Sequence, residues 1–217
     1  MFGRIKRWFK GLFKKEVVVR EKPDRLFNGN ESRQERLTRL YSSMKKEAMG
    51  RQKLFTISWY TNKAKEGRPK YEQVADEIGC PWEIVACVHA LEASFSWSKN
   101  LMNGQDYKKR TTWVPKGYGP WDSWEEAAID AFLLKRKQGK LPEEWSIGSS
   151  LEFLLLFNGS GYERRGLVSA YLWSFSNHYV NQGGSKFVSD GQFDRNAVSL
   201  QVGAAIILKE LGFSGGV

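Results

Sequence analysis

Glu92 is the residue of this chain whose type and position most directly suggest chemistry. It lies in the run from Pro81 to Phe95, which is predicted to form a helix because a proline opens it and apolar residues recur at helical spacing. The carboxylate falls on or beside the apolar stripe, where loss of water raises the pKa of a carboxyl group. A carboxyl group that holds a proton near neutral pH can act as a general acid in sugar cleavage. A structural pairing of Glu92 with His89 one turn back, or with a distant arginine, is an alternative of similar weight on position alone.

A second carboxylate would decide the mechanism of such a reaction. Inverting hydrolysis needs a base about 6.5–9.5 Å from the acid, and retaining hydrolysis needs a nucleophile closer to it. Asp106, Asp122 and Asp190 are the candidates. Asp106 is preferred as the second catalytic carboxylate because the loop after the Glu92 helix can fold back over the acid; the alternative is a solvated aspartate that caps a turn. A single acid/base is sufficient where a hydroxyl group of the substrate itself attacks the sugar.

The chain lacks the patterns that other catalytic classes require. Its two cysteines, Cys80 and Cys87, would be about 10 Å apart along a shared helix, whereas a disulfide needs Cα atoms within about 7 Å, so reduced thiols are expected. No metal-ligand spacing, Gly-x-Ser-x-Gly context or phosphate-binding glycine loop is present. We therefore expect neither a metal nor a cofactor, and a structural role for His89 is favoured over a role in tuning Glu92.

The N-terminal segment is strongly basic and amphipathic. The formal net charge of the 217 residues is +10, and residues 1–20 hold seven Lys or Arg against one acid. In residues 1–15 an apolar, aromatic face opposes a face of Lys and Arg, which is typical of a helix lying in a membrane interface. Docking on the protein's own body and a nucleic-acid-binding arm are the alternatives. We expect a cationic amphipathic helix over 1–20, a linker over 21–30 and one domain over 31–217, with a membrane surface as the partner of residues 1–15 and no nucleic-acid partner.

Helical spacing dominates the remainder of the chain. A long loop with a short hairpin is predicted for residues 96–122, which are rich in turn-forming residues. Ser123 and Glu126 form a capping-box pattern at the start of the next helix, and Asp194 or Asn196 is expected to cap the last helix. The predicted fold is mostly α, an α+β arrangement in which a small β-hairpin and loop region lines a cleft in a helical body.

Two short segments resemble motifs of enzymes that cleave bacterial cell walls. The segment Leu91–Phe95 resembles the Glu-Ser-Ser/Gly-Phe signature of lytic transglycosylases and goose-type lysozymes, and Leu156–Tyr162 resembles the Tyr-Asn-Ala-Gly segment that follows it in those enzymes. A wider similarity covers about residues 70–212, including His89-x-x-Glu92, Arg110–Pro115, Trp124–Ala131, Ala170–Ser174 and Val188–Phe193. On these elements the chain is similar to a lysozyme-like, peptidoglycan-degrading family of bacteriophages and bacteria.

The resemblance implies roles for particular residues. Glu92 corresponds to the catalytic acid of the family. The residues that the resemblance places at the substrate are Asn103, Asn158, Gly159, Tyr162, Tyr171, Trp173 and Tyr179. The chain lacks the Gly-Leu-Met-Gln motif of typical transglycosylases, and Phe157 stands where tyrosine is usual. Whether the product has a hydrolysed or an anhydro sugar end is therefore left open.

The function predicted on this basis is cleavage of the glycan strand of peptidoglycan by a muramidase or lytic transglycosylase. A phage endolysin with a membrane-active N-terminal helix fits the charge pattern, and a non-catalytic peptidoglycan-binding or virion structural module is the alternative. The N-terminus lacks the pattern of a secretory signal. We expect a monomer that is made in the host cytoplasm, acts on the cell wall or periplasm, and associates with membrane.

Overall fold

The structure is a computed structural model that describes residues 29–46, 51–189 and 191–216. The predicted cationic helix over 1–20 and most of the predicted linker over 21–30 lie outside the described residues, as does Asp190. Within the described ranges, no helix is both long and apolar enough to cross a membrane.

Helices dominate the described chain, which confirms the prediction of a mostly α fold. In chain order the elements are α1 (Arg33–Ser43), α2 (Arg51–Glu66), α3 (Arg68–Ile78), α4 (Trp82–Ala93), α5 (Trp124–Lys137), α6 (Ile147–Asn158), a 3-10 turn (Glu163–Arg165), α7 (Ala170–Trp173), α8 (Asn177–Asn181), β1 (Lys186–Ser189), β2 (Gln192–Asp194) and α9 (Ala204–Leu211). The two strands pair antiparallel, and the described helices share one hydrophobic core.

The β-hairpin lies elsewhere than predicted. We expected it within residues 96–122, but that segment has only an isolated bridge between Lys99 and Asp106. The hairpin instead pairs β1 with β2. A side-chain amide replaces the strand ladder in the loop, because Gln105 Oε1 accepts the backbone N–H of Thr112 at 2.9 Å.

The central helix of the fold is α4. Every residue from Ile84 to Ala93 is buried except Glu92, which is the pattern of a helix enclosed by the core on all sides. It packs against α2, α3, α6 and α9. Because its neighbours fix α4, the direction in which the Glu92 side chain leaves the helix is fixed as well.

The cap of α5 follows the predicted pattern with one difference. Ser123 Oγ accepts a hydrogen bond from Glu126 N at 3.1 Å, as expected of an N-cap serine. The Glu126 carboxylate accepts from Asp122 N at 3.1 Å. The reciprocal bond of the capping box is therefore made one residue before the N-cap.

The last helix begins later than predicted. We expected Asp194 or Asn196 to cap it, but Asp194 Oδ1 accepts from Asn196 N at 2.7 Å in a turn, and α9 follows Gly203. A Cβ atom at position 203 would lie 2.4 Å from the Leu172 carbonyl oxygen. The helix begins where glycine permits close contact with α7, and this contact is not visible in the local sequence.

Both cysteines are free and buried, which confirms the prediction of unpaired thiols. Cys80 precedes α4, whereas Cys87 lies within it. Burial raises the pKa of the Cys80 thiol to about 12 and also raises that of Cys87. Neither thiol ionises at neutral pH, so neither is an activated nucleophile.

Candidate active site

The chain reverses direction immediately after Glu92. Helix α4 ends at Ala93, and Ser94 and Phe95 both adopt the left-handed conformation, with φ of 50° and 59°. This conformation costs a non-glycine residue about 1–2 kcal/mol, and such residues cluster at functional sites. The backbone amides of both residues donate to the His89 carbonyl oxygen, and these two hydrogen bonds cap the C-terminal end of α4.

Two segments distant in sequence frame the same end of α4. A Cβ atom at Gly104 would lie 3.4 Å from the Glu92 carbonyl oxygen, so the loop after α4 returns against the helix. Gly104 also has φ of 74°, a conformation that favours glycine. Gln201 Nε2 donates to the neighbouring Leu91 carbonyl oxygen at 3.3 Å. The backbone around Glu92 is therefore held from outside its own helix.

Glu92 is partly exposed as a residue, and the pKa of its carboxyl group is raised to about 7. Burial is the main cause, because exclusion of water disfavours the carboxylate. The Tyr171 hydroxyl group and the Lys135 ammonium group both lower the pKa by favouring the ionised form. Burial outweighs these two groups, so a large fraction of Glu92 holds its proton at neutral pH.

Tyr171 places a phenol beside the Glu92 carboxyl group. Its hydroxyl group is shielded from water and makes no well-aligned hydrogen bond with the described residues, although it is close enough to Glu92 to lower the pKa of the carboxyl. Burial, followed by the charge of Glu92, raises the pKa of the phenol well above 10. Tyr171 is therefore a neutral donor; hydrogen bonds of this kind often align only when substrate binds.

Lys135 is a neighbour of Glu92 that the sequence analysis did not single out. It lies in the last turn of α5, where its ammonium group donates to the Phe157 carbonyl oxygen at 3.1 Å and lies 4.2 Å from the centre of the Phe157 ring. Burial is the main cause that lowers the pKa of Lys135, Lys140 adds to it, and Glu92 opposes it. Lys135 influences Glu92 through space, since the described ion pairs do not join the two residues.

His89 is a structural residue and does not pair with Glu92. It is fully buried, and its Nδ1 is 2.8 Å from the Tyr71 hydroxyl oxygen. Its ring centre lies 4.5 Å from that of Trp97 and 4.6 Å from that of Trp124. Burial lowers the pKa of His89 to about 4, so the imidazole is neutral at physiological pH and supplies no charge to Glu92.

Asp106 occupies an exposed turn in the loop after α4. Its Oδ1 accepts from Lys108 N at 3.0 Å, and its Oδ2 lies 3.7 Å from Lys109 Nζ, with 43% of the side chain exposed. These contacts correspond to the turn-capping alternative considered for this aspartate. Asp122, the second candidate, is exposed just before α5.

Asn103 braces the loop with its side-chain amide. Its Nδ2 donates to the carbonyl oxygens of Trp113 at 3.2 Å and Pro115 at 3.4 Å, and its Oδ1 accepts from Gln105 N at 3.2 Å. The amide is engaged at both ends, so the structure supports a positioning role for Asn103 rather than direct contact with a ligand.

Asn158 and Gly159 lie at the end of α6, next to the carbonyl group that holds Lys135. Asn158 is exposed and is the last residue of the helix. Gly159 caps it with φ of 101°, and its N–H donates to the Leu155 carbonyl oxygen at 2.9 Å. The Asn158 side chain is therefore accessible to a ligand. Asn158 directly follows Phe157, whose carbonyl oxygen accepts the hydrogen bond from Lys135.

Three of the residues assigned to the substrate by resemblance are buried. Trp173 is 1% exposed and Tyr179 is 2% exposed. The Tyr179 hydroxyl group donates to Ser185 O at 2.8 Å, and the Tyr162 hydroxyl oxygen accepts from Phe187 N at 3.2 Å. All three side chains pack in the core, so the structure supports a structural role for Tyr162, Trp173 and Tyr179 instead of direct substrate contact.

A separate surface cavity does not coincide with this group of residues. It has a volume of about 720 Å³. Its lining includes Thr38, Glu143, Glu144, Trp145, Ser146 and Gly215. The surroundings of Glu92 combine a carboxyl group of raised pKa with a phenol and an ammonium group, so they are the better candidate for chemistry. Among the described residues, no three His, Cys, Asp or Glu side chains form a possible metal site.

Comparison with protein families, curated proteins and solved structures finds no match in any of the three. The candidate active site is therefore defined by its own geometry. It consists of a partly buried carboxyl group, a neutral phenol and an ammonium group, contributed by α4, α7 and α5 respectively.

Proposed function

We propose that the protein cleaves the glycan strand of peptidoglycan, with Glu92 as the general acid of a lysozyme-like domain. The observation that carries the proposal is the partly exposed residue Glu92, whose carboxyl group has its pKa raised to about 7 by burial. A general acid works best when its pKa is near the operating pH. The substrate class is supported by the family resemblance of residues 70–212 and by the net charge of +10, which suits a polyanionic wall.

The proposed reaction begins with proton transfer from Glu92 to the oxygen of the scissile glycosidic bond. The bond between that oxygen and the anomeric carbon breaks, and the leaving sugar departs as an alcohol. Positive charge that develops on the remaining sugar is opposite the newly formed Glu92 carboxylate. Tyr171 and Lys135 both lower the pKa of Glu92, so both groups stabilise the ionised state that the first step produces.

Internal attack by the substrate is the proposed second step. A hydroxyl group of the same sugar attacks the anomeric carbon, its proton passes to Glu92, and an anhydro end results. This path needs a single acid/base and no second carboxylate, and the contacts of Asp106 with Lys108 N and Lys109 Nζ are those of a turn-capping aspartate. Hydrolysis would instead leave a reducing end.

Mass spectrometry of sacculus digests tests the proposal with the variant Glu92→Gln. We expect the wild-type protein to release anhydro-ended fragments and the variant to lose about 100-fold or more of the rate. Glu83→Gln is the matched control, since Glu83 is a second partly buried acid of α4 at its opposite end. Undiminished cleavage by Glu92→Gln would refute the role of the acid. Binding of sacculi by the wild-type protein without cleavage would favour the binding-module alternative.

The basic N-terminal segment supports a second part of the proposal, delivery of the enzyme across a membrane. Residues 1–15 combine aromatic and basic residues in an amphipathic pattern. Deletion of residues 1–20 is expected to preserve cleavage of isolated sacculi and to abolish leakage of anionic liposomes. Leakage that is equal with and without the segment would exclude this role.

A further inference from the structure

The loop between α4 and α5 presents an exposed apolar tip formed by Trp113 and Val114. Trp113 is 63% exposed and Val114 is 80% exposed. The Trp113 ring pairs with no other ring or cation among the described residues. A large aromatic face left in water is typical of a binding surface, because burial against a ligand would be favourable.

The backbone of this tip is held rigidly, although its side chains are free. Gln105 Oε1 accepts from both Thr112 N and Trp113 N at 2.9 Å, and Gln105 Nε2 donates to Thr112 Oγ1 at 2.9 Å. Asn103 Nδ2 donates to the Trp113 carbonyl oxygen at 3.2 Å. The Trp113 ring is therefore presented from a fixed main chain, which reduces the entropy lost on binding.

Asn103 and Gln105, whose side chains hold the tip, lie on either side of Gly104. Gly104 packs against the end of α4, because a Cβ atom there would be 3.4 Å from the Glu92 carbonyl oxygen. The tip and the acid are thus joined through one short segment. A ligand that contacts Trp113 and extends towards Glu92 would therefore contact two parts of the protein that the same loop segment links.

Basic residues flank the tip in the sequence of the loop. Lys108, Lys109, Arg110 and Lys116 are all exposed, and the nearest acid in the loop sequence is Asp106, 3.7 Å from the Lys109 ammonium group. The combination of an aromatic face and flanking basic residues suits a ligand that carries both apolar ring faces and negative charge. A glycan strand with carboxylate-bearing peptides has both features.

We propose that Trp113 is a sugar-binding subsite for the peptidoglycan strand that Glu92 cleaves, and that the flanking basic side chains bind the carboxylates of the wall peptides. This inference rests on the proposed function and adds a subsite to it. A sugar ring stacks on the indole face at the tip, while the scissile bond of the same strand lies at Glu92. The connection to Glu92 through Gly104 favours a glycan strand over a lipid surface as the ligand.

Binding of insoluble sacculi by the full chain tests the subsite without the complication of cleavage. The measurement uses Glu92→Gln as the background and adds Trp113→Ala, Trp113→Phe or Phe55→Ala. We expect Trp113→Ala to weaken binding about tenfold, as expected for loss of an aromatic contact, and Trp113→Phe to recover most of it. Phe55 on α2 is the matched control, because it is 69% exposed, and its replacement is expected to leave binding unchanged.

Kinetics of the otherwise wild-type protein provides the second readout. Trp113→Ala is expected to raise KM for soluble glycan strands while kcat changes less than twofold, because the indole contacts a sugar remote from the reacting bond. The loop should remain intact, since its hydrogen bonds use the main chain of Trp113.

Three outcomes would overturn the inference. Sacculus binding that is unchanged by Trp113→Ala excludes the subsite, and an equal loss with Phe55→Ala shows that the effect is not specific. Loss of binding to anionic phosphatidylglycerol vesicles, with unchanged sacculus binding, assigns the tip to a membrane instead. Failure of the proposed function is separate, because it is seen as persistent cleavage by Glu92→Gln.

Discussion

Replacing Glu92 by glutamine is expected to stabilise the protein above neutral pH while abolishing cleavage. The folded state raises the pKa of this carboxyl group from an ordinary 4.5 to about 7. A carboxylate in these surroundings is destabilising, because burial removes its hydration. Glutamine has nearly the same shape and carries no charge, so the variant avoids this cost.

The size and the pH range of the effect follow from linkage between proton binding and folding. Between pH 4.5 and about 7 the folded state holds the Glu92 proton and the unfolded state releases it, so this contribution to stability is complete below pH 4.5 and is lost by pH 7. The loss amounts to about 3 kcal/mol, at roughly 1.4 kcal/mol for each pKa unit. For a protein of this size, it corresponds to a difference in Tm of roughly 6–12 °C.

Thermal unfolding of the two proteins at pH 4.5 and pH 8.5 measures the effect. We expect Glu92→Gln to unfold at about the same temperature as the wild-type protein at pH 4.5 and at a higher temperature at pH 8.5. Other titrating groups are common to both proteins and cancel in the difference. A difference between wild type and Glu92→Gln that is the same at both pH values would refute the raised pKa and, with it, the argument for a general acid.

The remaining predictions concern the neighbours of the acid and the packing of the last helix. Lys135→Met should raise the pKa of Glu92, because Lys135 lowers it, so the decline of kcat/KM with rising pH should move to higher pH, and Lys135→Arg should restore its position. Asp106→Asn should retain activity within about threefold, since an asparagine oxygen can accept the same turn hydrogen bond. Gly203→Ala should lower the free energy of unfolding in urea by about 2–3 kcal/mol, because the added Cβ would lie 2.4 Å from the Leu172 carbonyl oxygen.

Each of these predictions has a result that would contradict it. If Lys135→Met lowers the rate but leaves the pH midpoint of kcat/KM unchanged, the ammonium group does not act on the pKa of Glu92. Its role would then be limited to its hydrogen bond with Phe157 at the end of α6. A loss of about 100-fold in Asp106→Asn would identify Asp106 as the second catalytic carboxylate and favour hydrolysis. An unchanged urea midpoint in Gly203→Ala would show that α7 and α9 separate without cost.

Local patterns in the sequence were sufficient to predict the helix that carries Glu92. Apolar residues at helical spacing before Phe95 predict that helix, and an acid on or beside its apolar stripe loses water, which raises the pKa of the carboxyl group. The cap at Ser123 was predictable for a similar reason, because a capping box involves residues three positions apart. Both inferences depend only on neighbours within one or two turns of a helix.

Only the tertiary structure decided what surrounds Glu92. Lys135 resembled an ordinary lysine at a helix end until the packing of α5 and α6 placed it beside Phe157. The sequence alone did not distinguish the buried Trp173 from the exposed Trp113, since both are large aromatic residues near turns. Burial and charge proximity depend on contacts between segments far apart in the chain, whereas sequence patterns report the period of a single element. The position of Glu92 on a helix was therefore predictable from the sequence, whereas its proximity to Lys135 was not.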